Sequence, residues 1–352
     1  MSIEIRPVRG IGDVTPGDDL VELITTAAPW LADGDVLVVT SKIVSKSEGR
    51  LVEVPADGPE RDAARAEALA AETARVVARR GPTTIVQTHH GFVMAAAGID
   101  ASNVDKTHLV LLPADPDASA RRLRAGFLAR GLEVAVIVSD TMGRAWRNGL
   151  TDVALGASGI APFRDHRGET DPYGNELQIT QMAVIDELAA AGELVKGKAD
   201  QVPVAVIRGY PAAVTEAPEG AAALLREAAG DMFSLGTAEA RAAGLRDAAQ
   251  FRDGAERDLP GLPVPAEAVE RAIATVADVL AHGTTIEAAE VMPHHGATAA
   301  LHLQTRDTTP PGLMRLGADA HRLRAALAAE AIATVALPHE DGIRLDLSGT
   351  EA

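Results

Sequence analysis

Up to about Gly209 the sequence alternates short apolar runs with longer stretches of strong helix formers, and this alternation constrains the fold more than any other feature. Strands are expected at residues 3–8, 35–40, 83–88, 92–97, 133–139 and 203–208, and helices at 18–28, 60–80, 118–130 and 178–191. His89, His90 and Gly91 form the turn between two of the strands. The fold class that follows is mixed α/β. From 215 to 250 the chain is Ala-rich and reads as helical, and FRDGAERDLPGLPVP at 251–265 reads as a linker. This gives a first domain over 1–250 and a small α/β C-terminal domain over 266–352, read as helix, strand, helix, strand. The second piece is near the smallest size that buries its own core.

Bulk properties remove whole classes of function. The 352 residues contain no cysteine, which excludes a disulfide framework, thiolate metal sites and cysteine nucleophiles. With 47% hydrophobic but 3% aromatic residues, the core is built from Ala, Val, Leu and Ile. The N-terminus lacks a signal pattern, and no apolar run reaches the roughly 18 residues of a membrane span, so a cytoplasmic protein without a membrane partner is expected. A net charge of -17 opposes nucleic-acid binding. A small anionic substrate stays compatible, because charges beyond about 10 Å are screened.

The segment SDTMGRAWRNG, residues 139–149, is the first candidate for chemistry. Asp140 and Thr141 fall where a strand is expected to give way to a loop, the usual place for functional groups in α/β folds. Their oxygens suit Mg²⁺ or Mn²⁺ completed by water and phosphate. Arg144 and Arg147 offer guanidinium forks to a carboxylate or phosphate beside Trp146. A solvated turn whose tryptophan caps the core explains the same residues equally well.

Other segments carry the same kind of choice. In GIDASNVD, Asp100 and Asn103 are either an ordinary Asx turn or a second source of oxygen ligands. Two strand ends, each delivering an aspartate, make a metal-bound phosphate site the sharper reading. TSKIVSKSEGR places Ser41, Lys42 and Lys46 directly after a strand, to hold phosphates or to face solvent. GELVKGKA, residues 192–199, comes close to a phosphate loop but ends on Ala199 and joins a helix to a strand, so a P-loop NTPase is rejected. Lys196 and Lys198 either reach phosphates or satisfy a helix terminus. The pairs His89–His90 and His294–His295 read as structural or solvated, and neither HExxH nor GxSxG occurs.

Taken together, VLVVTSKIVSKSEGR, GFVMAAAGIDASNV, SDTMGRAWRNGLTDVALGASGI and DPYGNELQITQMAVIDELAAAGELVKGKADQVPVAVIRG resemble, in order, the coenzyme F-420-0:L-glutamate ligases. The similarity runs from about Ile3 to Gly209 and is to the ligase domain of the bifunctional actinobacterial type. It implies a non-P-loop γ-glutamyl ligase fold and a homodimer. It also implies two divalent ions (Mg²⁺ or Mn²⁺), K⁺ as a further cation, and GTP as co-substrate with L-glutamate and coenzyme F-420-0. By resemblance, Ile11, Gly12, Asp13, Val14, Ser41, Lys42, Lys46, Asn103 and Lys198 touch the nucleotide. Asp100 and Asp140 hold the first metal and Thr141 the second, while Arg144 and Arg147 are candidates for gripping substrate anions. Lys198 stands where some relatives have an acid or amide, so it is not expected as a metal ligand. The reaction implied is phosphoryl transfer to a carboxylate, giving an acyl phosphate that glutamate attacks. A metal-dependent phosphohydrolase and a non-catalytic binding protein are the alternatives. The tail is faintly similar to the nitroreductase-like domain of longer members, but it is short and lacks their basic opening segment. FMN is not expected.

Overall fold

In a computed structural model of the chain, the structure describes residues 2–102, 104–197, 200–211, 219–252, 258–292 and 296–350. The chain divides into two compact units, Met1–Glu239 and Ala240–Ala352. The first opens with β1 (Glu4–Val8), α1 (Leu20–Ala27), β2 (Val36–Thr40), α2 (Ser41–Ser47), β3 (Leu51–Glu53) and α3 (Gly58–Ala71). It continues through β4 (Thr73–Arg80), β5 (Thr83–Thr88), β6 (Val93–Ala95), β7 (His108–Val110) and α4 (Pro116–Leu128). A long hairpin of β8 (Ala135–Arg144) and β9 (Arg147–Ser158) follows, then β10 (Arg164–Asp165), β11 (Gln181–Met182), α5 (Val184–Lys196) and β12 (Val204–Arg208).

Five of these strands form the central sheet, in the order β1-β12-β2-β8-β9. Only β2 and β8 run parallel, with Thr40 level with Ser139, so their C-terminal ends open on the same side. The apolar runs behind these strands are uninterrupted because both faces are covered. Leu37, Val39, Val136, Val138, Val204 and Val206 pack with α1 and α4 on one face. Val36, Val38, Ala135, Ile137, Ala205 and Ile207 pack with α5 on the other. Side chains of this size contribute about 1.5–3 kcal/mol each when fully buried. Gly192 lets α5 lie close to the sheet, since a Cβ there would stand 2.9 Å from Val38 Cβ. Three smaller sheets, β4-β5-β6, β3-β7 and β10-β11, complete this unit.

The mixed α/β class holds, and four element boundaries differ from expectation. The helix expected over 60–80 stops at Ala71, and Thr73–Arg80 is a strand paired with β5. Its β-branched Thr73, Val76 and Val77 favour the extended form despite the surrounding Ala and Arg. The strand expected to end at Ser139 runs on to Arg144, because β9 supplies a pairing partner through the hairpin. The helix expected over 178–191 is Val184–Lys196, with Asp186 and Glu187 in its first turn favouring the start there. Within 219–236 there are only two short 3₁₀ turns, Ala221–Leu224 and Ala228–Gly230.

A helix, α6 (Thr237–Ala249), spans the division between the units. The second unit contains α7 (Ala266–Val276), β13 (Thr284–Ala288), β14 (Ala299–Thr305), α8 (Pro310–Ala329), β15 (Ile332–His339) and β16 (Gly342–Gly349). Its strands form one antiparallel sheet, β13-β14-β16-β15, where the sequence suggests two separate strands. Leu301, Leu303, Leu345 and Leu347 pack with Ala272, Leu323 and Leu327 of α7 and α8. Among the described residues no helix is long and apolar enough to cross a membrane.

Candidate active site

A cleft of about 660 Å³ opens at the C-terminal ends of β2 and β8. Five segments build its walls, one of them running from the end of α5 to the approach to β12 with Glu193, Gly197 and Val202. The turn after β1 supplies Gly12, Asp13 and Val14, anchored by Ile11 and Val14, which are 5% and 4% exposed. Gly12 has φ +75°, a left-handed backbone that glycine adopts at little cost. Lys42 and Lys46 lie one turn apart on α2 and share the face that lines the cleft. Asp100 follows β6 and a 3₁₀ turn, and its backbone bonds reciprocally with Val110 at 2.9 and 2.8 Å. The β8–β9 hairpin contributes Asp140, Thr141 and Asp152, with Thr141 opposite Asp152.

The carboxylates are not equivalent. Burial pushes Asp140 up to about 6, aided by the charges of Asp152 and Asp100 and opposed by the Thr141 N–H and by Lys42. Asp100 and Asp140 therefore lie close enough to repel each other across one cavity. Asp100 itself is held below its ordinary range: burial would raise it, but Lys42 and Ser102 together outweigh that. Lys42 Nζ is 2.5 Å from Asp100 Oδ2, and the Ser102 N–H donates to Oδ1 at 2.6 Å. Asp152 is also lowered, because Lys196, Thr141 and Ser139 overrule its burial.

Beneath the acidic wall lies a buried ion pair. Lys196, in the last turn of α5, is 1% exposed. Its Nζ donates to Asp152 Oδ2 at 2.9 Å, Ser139 Oγ at 3.0 Å and Thr40 Oγ1 at 3.2 Å, and lies 3.4 Å from Glu193 Oε2. The Thr141 hydroxyl donates to Asp152 Oδ1 at 2.8 Å. One cation thus joins the ends of both parallel strands to the hairpin. The oxygens of Asp100, Asp140, Thr141 and Asp152 are hard donors of the kind that Mg²⁺ and Mn²⁺ take.

Of the residues singled out from sequence, Gly12, Asp13, Val14, Lys42, Lys46, Asp100, Asp140 and Thr141 come together around this cleft. Ile11 and Ser41 are buried beside it rather than lining it. Asp140 and Thr141 lie within a paired strand, not in the loop expected for them, because β9 carries the ladder past Ser139. Arg144 and Arg147 stand farther out, exposed at the hairpin tip, where Arg144 donates to the Asn148 carbonyl at 3.2 Å. Trp146 does not cap a core: it is 83% exposed and meets Phe233 edge-on at 5.2 Å. Asn103, Lys198, His294 and His295 lie outside the described residues. His89 and His90 bond to backbone carbonyls of Ala71 and Pro113, a structural use.

Sequence reasoning missed Asp152 and Glu193 and undervalued Lys196. A lone aspartate inside the apolar stretch LTDVALGA was a usable signal, as was the three-residue spacing of Glu193 and Lys196.

Comparison with known proteins places these features in a family. The sequence model of F420-0:Gamma-glutamyl ligase matches residues 10–209, which contain every cleft residue named above. The chain is 41% identical over 250 residues to the coenzyme F420:L-glutamate ligase of Methanothermobacter thermautotrophicus, covering 66% of this chain and 99% of that protein. It is 40% identical over 248 residues to the enzyme of the same name from Methanopyrus kandleri, covering 66% and 98%. For that from Archaeoglobus fulgidus the figures are 41% over 221 residues, 59% and 88%. The chain belongs to the F420-0:Gamma-glutamyl ligase family, and it is a ligase that forms carbon–nitrogen bonds.

Proposed function

We propose that the protein adds L-glutamate to coenzyme F420-0 in a GTP-dependent reaction that passes through an acyl phosphate. The observation that carries this reading is the cleft itself, where Asp100, Asp140 and Asp152 face Lys42 and Lys46. Its acidic oxygens suit Mg²⁺ or Mn²⁺, and the Asp140 carboxyl, raised mainly by burial and further by the charges of Asp152 and Asp100, is one whose ionised form a bound cation would favour. When bound, such ions neutralise phosphate charge and polarise the reacting oxygens. Asp100, Asp140 and Thr141 would hold them, with Asp152 behind Thr141.

The chain's own residues do the remaining work by positioning and charge balance, which dominate phosphoryl transfer. Lys42 and Lys46 offset the triphosphate. The substrate carboxylate attacks the γ-phosphorus of GTP; the bond to the β-phosphate oxygen breaks and GDP leaves. The glutamate amine then attacks the acyl carbon, an N–H proton is lost, and inorganic phosphate departs as the amide forms. Lys196 fixes Asp152, and through it Thr141, so that the oxygen donors keep their spacing. Arg144 and Arg147 extend from the same hairpin towards substrate that projects beyond the cleft. A homodimer and a K⁺ requirement belong to the same proposal.

The test incubates the protein with GTP, Mn²⁺, L-glutamate and coenzyme F420-0 and follows the product mass. A gain of one or more glutamyl residues with GDP release is expected, lost in Asp140→Asn. Phosphate release from GTP that ignores glutamate would instead indicate a phosphohydrolase. Light scattering of the intact protein reads the oligomer.

A further inference from the structure

The second unit holds a group of side chains that the ligase reaction does not use. β14, β16 and β15 run side by side, with His302 opposite Arg344 and His339 opposite Gly342. Asp341 lies in the short turn that joins β15 to β16. This register brings two imidazoles and one carboxylate to one end of the sheet. Asp341 Oδ1 is 2.8 Å from His339 Nδ1 and 3.2 Å from His302 Nε2, and the two rings are 4.2 Å apart, tilted by 59°. One donor atom from each residue lies within 4.8 Å of the other two. Among the described residues no other three His, Cys, Asp or Glu side chains converge this closely.

We propose that His302, His339 and Asp341 bind a divalent transition-metal ion of the zinc type. A second observation points the same way. Leu301 and Leu303 turn to the core, which leaves His302 on the opposite face of β14. There its Nε2 is sealed from solvent and makes no well-aligned hydrogen bond, although Asp341 Oδ1 lies 3.2 Å away. Leaving a buried polar atom unsatisfied costs about 1–3 kcal/mol, and native structures do so rarely. An ion beside Asp341 satisfies that nitrogen directly.

The geometry is close to what such an ion requires. Bonds of about 2.0–2.2 Å to imidazole nitrogen and carboxylate oxygen put tetrahedral donors roughly 3.3 Å apart. The present 2.8 and 3.2 Å contacts need to open by only a few tenths of an ångström. Asp341 and His339 have room for this, their side chains being 59% and 44% exposed. Gln304 donates to Asp341 Oδ2 at 2.6 Å and abuts His302 Nδ1 at 3.3 Å, the outer placement that orients metal ligands. The neighbouring cation of Arg344 is already engaged by Asp346 and the Glu290 carbonyl, each at 2.7 Å. Two imidazoles with one carboxylate select Zn²⁺, Co²⁺ or Ni²⁺ over Mg²⁺ or Ca²⁺. Three protein donors leave the fourth position to water.

The experiment uses the full-length chain carrying Asp140→Asn, which removes the cleft carboxylate most suited to a competing ion. After EDTA treatment and buffer exchange, Zn²⁺ is titrated calorimetrically, and Co²⁺ is followed by its visible absorption. One tight equivalent is expected. Adding His339→Ala or Asp341→Asn, both at exposed positions, is expected to weaken it by at least about tenfold and to abolish the Co²⁺ band. Identical isotherms with and without these changes would overturn the site, as would Zn²⁺ binding only at millimolar concentration.

Discussion

Replacing Asp140 by Asn should stabilise the metal-free protein, and the size of the effect follows from the cleft. The carboxyl titrates near 6 instead of 3.8 because burial and the charges of Asp152 and Asp100 oppose its ionisation. Between those values the folded chain holds a proton that the unfolded chain has released. Stability therefore falls as pH rises through this window, and the deficit is complete above about pH 7. A tenfold change in proton affinity is about 1.4 kcal/mol, which sets an upper limit of about 3 kcal/mol. Water reaching the half-buried carboxyl reduces this to about 1–2 kcal/mol by screening. Asn keeps the shape and still accepts from the Thr141 N–H, now 2.8 Å from Asp140 Oδ1, but carries no charge. Differential scanning calorimetry in EDTA should show equal melting near pH 4. Near pH 8 the variant should melt about 2–8 °C higher. Equal melting temperatures at pH 8, or a less stable variant there, would refute the electrostatic account. The same variant is expected to lose turnover, so a gain in stability accompanied by lost activity is the signature.

Three further outcomes follow. Lys196→Met removes the buried cation from Asp152 and Glu193, and breaking such a pair should cost about 3–5 kcal/mol in urea denaturation; a loss below about 1 kcal/mol would reject its structural role. Gly192→Ala forces a methyl to 2.9 Å from Val38 Cβ. Overpacking of this kind costs about 1–3 kcal/mol, and an unchanged melting temperature would show that α5 moves freely away from the sheet. Arg147→Ala should raise the KM for coenzyme F420-0 by about three- to tenfold with kcat kept, the scale of one exposed charged hydrogen bond; a fall in kcat at unchanged KM would place the arginine in the chemical step.

The central sheet was legible because its strands are buried on both faces, which leaves continuous apolar runs such as VLVVT and VAVIR. The Asx turn at Asp100 was legible too, since Asp and Ser announce it locally, and the Ser102 N–H does bond to Asp100 Oδ1. What escaped was whatever depends on a distant partner. Residues 140–144 are polar enough to read as loop, and only their pairing with β9 makes them strand. Asp152 is buried because Lys196, 44 residues later, meets it beneath the cleft. No local pattern encodes that contact. Residues 73–80 were misread because Ala and Arg dominate the composition, while β5 provides the edge that draws them into a sheet.

Since one strand carries both Asp140 and Arg144, the distance between the cavity floor and the outer cations is a fixed length of backbone. At about 3.3 Å of rise per residue, four residues amount to roughly 13 Å. For an elongated ligand held at both points, the hairpin would act as a ruler. Removing one residue from each arm would draw the tip inward by about 3 Å and reverse which side of the ribbon the arginines occupy; removing two from each would bring it about 7 Å closer with their facing restored. A ligand of another length would be matched by trimming or extending this ribbon in such even steps, leaving the sheet beneath untouched.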